Sequence, residues 1–142
     1  MTLAPMAQEI VLRRLYWIGP MTIGAAVAAV FVVQQISLLV LHDLPKFSDS
    51  ILHSNEPSYA TAFFVGCAVL VFPIIADAAS KPLRTFRRLA LGVLLVSCIP
   101  NLLAAFGRDA GVEWGMLALM AMHVAAWAVT TLMLTRLTVR AA

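Results

Sequence analysis

"LYWIGPMTIGAAVAAVFVVQQISLLVL", residues 15–41, runs from end to end without a charged side chain. A helix crossing the roughly 30 Å hydrocarbon core of a bilayer needs about 20 predominantly apolar residues. This stretch exceeds that length and predicts a membrane-spanning helix. Arg13-Arg14 ahead of it and Ala26-Val27-Ala28 within it imitate a secretory leader and its cleavage site. The apolar run continues to Leu41, well past the core of such a leader, so a retained helix is expected.

Working outward from it, three further apolar runs qualify as spans, at about 59–79, 89–106 and 114–135. The connections "SKPLRTFRR" (80–88) and "GRDAGVE" (107–113) are short, which forces consecutive spans to reverse direction. The expected fold class is therefore an all-α membrane protein, an antiparallel up-down four-transmembrane-helix bundle forming a single domain over residues 1–142. The remaining connection, 42–58, is long. It contains Pro45, Pro57 and an apolar "SILHS" stretch, and is expected to lie over the outer mouth of the bundle. "MAQEIVLRRLYW" ahead of the first span is expected to form a short interfacial helix.

Composition agrees with a bilayer as solvent. Of 142 residues, 62% are hydrophobic and 12% charged, and the mean hydropathy is +0.93. A soluble domain carries about a quarter charged residues, so this chain lacks the polar side chains to cover a water-facing surface. The net charge of +3 is too small and too scattered for a nucleic-acid surface. Cys67 and Cys98 sit singly inside apolar runs, where they are expected to be buried and to behave as small hydrophobes.

The basic residues set an orientation. Arg13, Arg14, Lys81, Arg84, Arg87, Arg88, Arg136 and Arg140 fall on one side of the four spans, Lys46 and Arg108 on the other. Positive charge stays cytoplasmic, so both termini are expected inside, in a bacterial plasma membrane. Tyr16, Trp17, Tyr59 and Trp114 lie near span ends as an aromatic belt requires, whereas Trp127 does not. Asp77, four residues before Lys81, is expected to pair with it.

Polar residues inside the membrane are where function concentrates, because burying them unpaired is costly. The candidates for a ligand site are His123, Asn101, Ser97, Gln34 and Gln35. His123 lies about nine residues, roughly 14 Å, from the outer end of its span. Asn101 and the two glutamines lie in the outer half of theirs, so a small polar cavity beneath the 42–58 loop is one outcome. The other is hydrogen bonding between helices, which contributes about 0.6 kcal/mol per bond. Pro100 releases the carbonyl of Val96 near Ser97 and Asn101, and Pro73 and Pro20 act alike in their spans.

Known chemistries fit poorly. His42 and His53 lie well above His123, which argues against a haem held by two histidines. Met116, Met120 and His123 share a helix face, but methionine at that spacing is ordinary core filler. No Ser-His-Asp, HExxH, P-loop or GxGxxG pattern occurs. No catalytic residue, metal or cofactor is expected. Small-xxx-small pairs at Gly24/Ala28, Ala25/Ala29 and Ala121/Ala125 predict close packing of spans one and four on each other or on a partner.

The stretch "RTFRRLALGVLLVSCIPN", followed by "LALMAMHVAAWAV", resembles a family of small bacterial four-span integral membrane proteins of unknown function. The likeness rests on Arg84, Arg87 and Arg88 opening span three, Ser97 and Pro100 late in it, and Met122-His123 in span four, over roughly residues 82–136. The 42–58 loop is longer than the resemblance implies. It implies a four-span topology and no activity. The function expected is that of a non-catalytic accessory or interaction subunit, whose partners are the bilayer and a membrane protein or a second copy. A binding or transport module for a small ligand near His123 is the alternative, and a quinone- or lipid-acting enzyme the third.

Overall fold

The computed structural model describes residues 12–44, 51–105 and 110–138. Four helices account for nearly all of them: α1 (Leu15–Leu41), α2 (Glu56–Ala78), α3 (Pro82–Ala105) and α4 (Ala110–Leu137). No strand occurs among the described residues. Each helix is long and apolar enough to cross a membrane. Their 23 to 28 residues make roughly 35–42 Å at 1.5 Å per residue, more than a bilayer core requires.

The helices reach beyond the apolar runs that announce them. α3 starts at Pro82 rather than near Leu89, because a proline at the first helical position has the right φ and no N–H to leave unpaired. α2 likewise opens with Pro57 in its first turn. α1, α2 and α3 continue through Pro20, Pro73 and Pro100. Of the expected N-terminal interfacial helix, residues 6–11 lie outside the described residues. Leu12–Arg14 is a 3-10 turn leading into α1.

Contacts between elements order the helices as a ring. α1 packs most extensively on α4, α4 next on α3, and α1 next on α2, with a thinner α2–α3 contact closing the circle. On α1 the buried positions include Ile18, Thr22, Ala26, Val30 and Gln34. A seam climbing by fours is an i±4 ridge, inclined about 26° to the axis, so the neighbouring helix crosses it obliquely. α4 answers with a buried face made of Ala118, Leu119 and Met122 in its first half and Thr130, Thr131, Leu134 and Thr135 in its second.

Two apolar clusters result. One joins Ile18 of α1, Phe72 of α2, Phe86 of α3 and Leu134 of α4. The other joins Val30 of α1 with Ala118, Leu119 and Met122 of α4 and with Leu52, which comes from the 3-10 turn Ile51–His53. Phe86 is the one buried side chain of α3 among the described residues, so that helix turns nearly all of its surface outward. Near the first cluster, Arg87 Nη2 donates to Thr135 Oγ1 at 3.0 Å and ties α3 to α4.

Some expectations need correction. The α1–α4 contact is the most extensive of all, as expected, but of the small-residue pairs Gly24, Ala28 and Ala121 are exposed and only Ala25, Ala29 and Ala125 are half-buried. Ala26, between Thr22 and Val30, is the small residue of that seam. Gly19 makes the close approach instead, toward α2: a Cβ there would meet Val69 Cγ1 at 2.8 Å. Asp77 and Lys81 form no ion pair, because the chain turns extended at Ala79 and the helical i,i+4 geometry is lost. Cys67 is exposed and Cys98 half-buried, a placement that costs a small apolar thiol little when the solvent is lipid.

Candidate functional site

The five candidate residues go to separate places. Gln34, on the buried seam of α1, donates through Nε2 to the backbone oxygens of Leu52 at 2.6 Å and Ser54 at 2.9 Å. One carboxamide thus satisfies two carbonyls of the 42–58 connection and pins its second half against α1. Leu52, completely buried, enters the apolar cluster beside Val30. This half of the connection is a plug seated by one hydrogen-bonding side chain. Residues 45–50 of the same connection lie outside the described residues.

Gln35 points elsewhere, since consecutive helical residues are about 100° apart. It is exposed, makes no hydrogen bond among the described residues, and lines a shallow groove with Leu38, Leu39 and His42. His42 closes the groove with its Nδ1 on the Leu39 carbonyl at 2.9 Å and its Nε2 beside Asp43 Oδ1 at 3.0 Å.

His123 and Ser97 bond within their own helices. His123 Nδ1 lies 2.6 Å from the Leu119 oxygen; a carbonyl can only accept, so Nδ1 carries the proton. In the neutral ring Nε2 is then an acceptor, on a half-buried side chain. Ser97 donates to the Leu94 oxygen at 2.8 Å, not to the Val96 carbonyl that Pro100 releases. Asn101 is half-buried. No hydrogen bond joins any two of the five residues. His123→Leu removes a bond inside one helix, so stability should change by about 0.6 kcal/mol. Unfolding by sodium dodecyl sulfate in mixed micelles measures this, and a loss several times larger would show that Nε2 holds a partner.

Most other helical hydroxyls follow the same pattern. Thr22 donates to Ile18, Thr61 to Pro57, Thr131 to Trp127 and Thr135 to Thr131, each reaching the carbonyl one turn back. Thr130 departs from it. Its hydroxyl and the indole Nε1 of Trp127 are buried without a hydrogen-bond partner among the described residues. The sequence offered one signal for them, the position of Trp127 far from either span end. The apolar "SILHS" stretch signalled a connection folded over the bundle but not the burial of Leu52 in its core, and nothing in the sequence marked Arg87 as the donor to Thr135. No group of three or more His, Cys, Asp or Glu side chains suited to a metal gathers among the described residues.

No family model matches the chain, and no curated protein or solved structure matches it.

Proposed function

We propose that the chain is a non-catalytic accessory subunit of a membrane complex, which docks the transmembrane helix of a partner protein on the uncovered face of α1. Gly24, Ala28, Phe31, Gln35, Leu38 and His42 recur at alternating intervals of four and three, the 3.5-residue period with which one helix follows another. All but the half-buried Leu38 are exposed, and a Cβ at Gly24 would meet nothing within 4 Å. The observation that carries the reading is Gln35 on that face. About 9 Å from the end of α1, its carboxamide has no partner among the described residues, and lipid tails supply none. Small residues allow a second backbone to approach, and a polar side chain on an apolar seam selects a partner able to hydrogen-bond.

The topology that accompanies this function is an antiparallel bundle in a bacterial plasma membrane with both termini cytoplasmic, as in the small four-span family the sequence resembles. The cluster gathering the start of α1, the end of α2, the start of α3 and the end of α4 supports alternating directions. The division of basic residues, eight against two, supports the orientation.

The test is photo-crosslinking in native membranes from p-benzoylphenylalanine placed at Leu39, which is 76% exposed. A discrete protein adduct is expected, at least tenfold weaker in a Gly24→Leu background, a change made where an added Cβ meets no described atom within 4 Å. An adduct of twice the chain's mass would replace the partner protein by a second copy. Adducts with lipid alone would overturn the docking face.

A further inference from the structure

The two unpaired groups on α4 define a site of their own. His123, Trp127, Thr130 and Leu134 follow one another at intervals of four, three and four, and so share one face of the helix. Leu134 packs in the cluster to which all four helices contribute, so that face looks into the bundle. Leu119 and Met122 belong to the other cluster. Trp127 and Thr130 therefore occupy the interval between two apolar cores, with His123 one turn before them.

Both carry an unsatisfied donor at that place. The indole Nε1–H can only donate, and the Thr130 hydroxyl, on a residue 5% exposed, makes no bond to the Ala126 carbonyl one turn back. Threonine in a helix has two accessible χ1 rotamers, one of which back-bonds to the preceding turn. Thr131 and Thr135 on the same helix, and Thr138 just past its end, use back-bonds, to Trp127, Thr131 and Leu134. Thr130 does not, and a buried hydroxyl that forgoes the available carbonyl is costly unless something else receives it.

We infer that Trp127 Nε1 and Thr130 Oγ1 together bind one hydrogen-bond acceptor oxygen inside the bundle, supplied by an internal water or by the carbonyl of a lipid-soluble molecule. Such an oxygen has two lone pairs, one for each donor. A water would have its own two hydrogens to give, and the Nε2 acceptor of His123 lies on the same helix face. A carbonyl compound would leave His123 uninvolved. The site is distinct from the α1 face and does not depend on it.

The experiment uses the full chain in nanodiscs of synthetic phospholipid with its three tryptophans labelled at the indole nitrogen, Trp127 being assigned by its loss in Trp127→Phe. The Trp127 indole proton is expected to show a cross-peak to a bound molecule. A cross-peak at the water frequency identifies water. One to carbon-bound protons, together with a stoichiometric neutral compound in the organic extract, identifies a carbonyl ligand. Thr130→Val, which keeps the shape and removes the hydroxyl, should shift the indole proton upfield and lower the unfolding temperature by several degrees, and Thr130→Ser should restore both. The wild-type cross-peak stands as a readout even if Thr130→Val does not fold. Absence of any cross-peak overturns the site, as does a Thr130→Val protein with an unmoved indole proton and an unchanged or raised unfolding temperature.

Discussion

Leu52→Ala should destabilise the protein by about 3 kcal/mol, within the range of Leu→Ala changes at buried sites. The side chain is wholly buried among Val30, Ala118, Leu119 and Met122 although it belongs to a connection rather than a helix. When the plug lifts, Leu52 leaves an apolar seat for the membrane surface and water, so both the transfer and the cavity contributions are lost. Gln34→Leu acts on the same seat from below. It withdraws the donor from the carbonyls of Leu52 and Ser54, at a cost of about 2 kcal/mol. Because either change unseats the plug, the double variant should fall short of the sum by about 1 kcal/mol or more. Equilibrium unfolding of the three variants in lipid-detergent micelles reads all of this, with protease cleavage between residues 42 and 55 rising in parallel. Losses under about 1 kcal/mol that simply add would mean that the connection is not held by these groups.

Phe72→Ala should cost nearly as much for a different reason. Phe72 is buried where one residue from each helix meets, and its ring stands edge-on to Phe86 with centroids 5.0 Å apart. Leaving this core for lipid exchanges one apolar surrounding for another, so the transfer contribution that dominates in soluble proteins is small here. What remains is the cavity, on the order of 80–100 Å³ at about 24 cal/mol per Å³, or roughly 2 kcal/mol. Loss of the aromatic pair adds about 0.5–1.5 kcal/mol. Phe63→Ala is the control. Phe63 is 67% exposed, lies on the same helix and should change stability little. If the two variants unfolded alike, Phe72 would not lie at a four-helix junction.

The number of membrane helices and their approximate positions were legible in the sequence. A bilayer judges each segment by its own length and polarity, and every backbone group in lipid must be paired within its segment, so a span is a local property. Helix ends were less legible. The apolar run marks the hydrocarbon, whereas capping chemistry such as Pro82 at a first turn marks the helix, and the two boundaries need not coincide.

The faces were not legible at all. In water a buried face is apolar and an exposed one polar, so the pattern records the partner. In a membrane the core and the solvent are equally apolar, and that record is erased. Gly24 and Ala28 have the spacing of a packing motif yet are exposed, while Thr22, Ala26 and Val30 form the seam. Thr131 bonds its own helix and its neighbour Thr130 has no partner among the described residues. Gln34 and Gln35 are chemically identical and adjacent. The chain's composition and order determined that two amides would stand near one end of α1. Only the crossing of α4 over α1, with Leu52 folded onto it, decided that the first would clamp the connection and the second would stay exposed, because a turn of 100° separates a carbonyl-lined interior from the outer face of the helix.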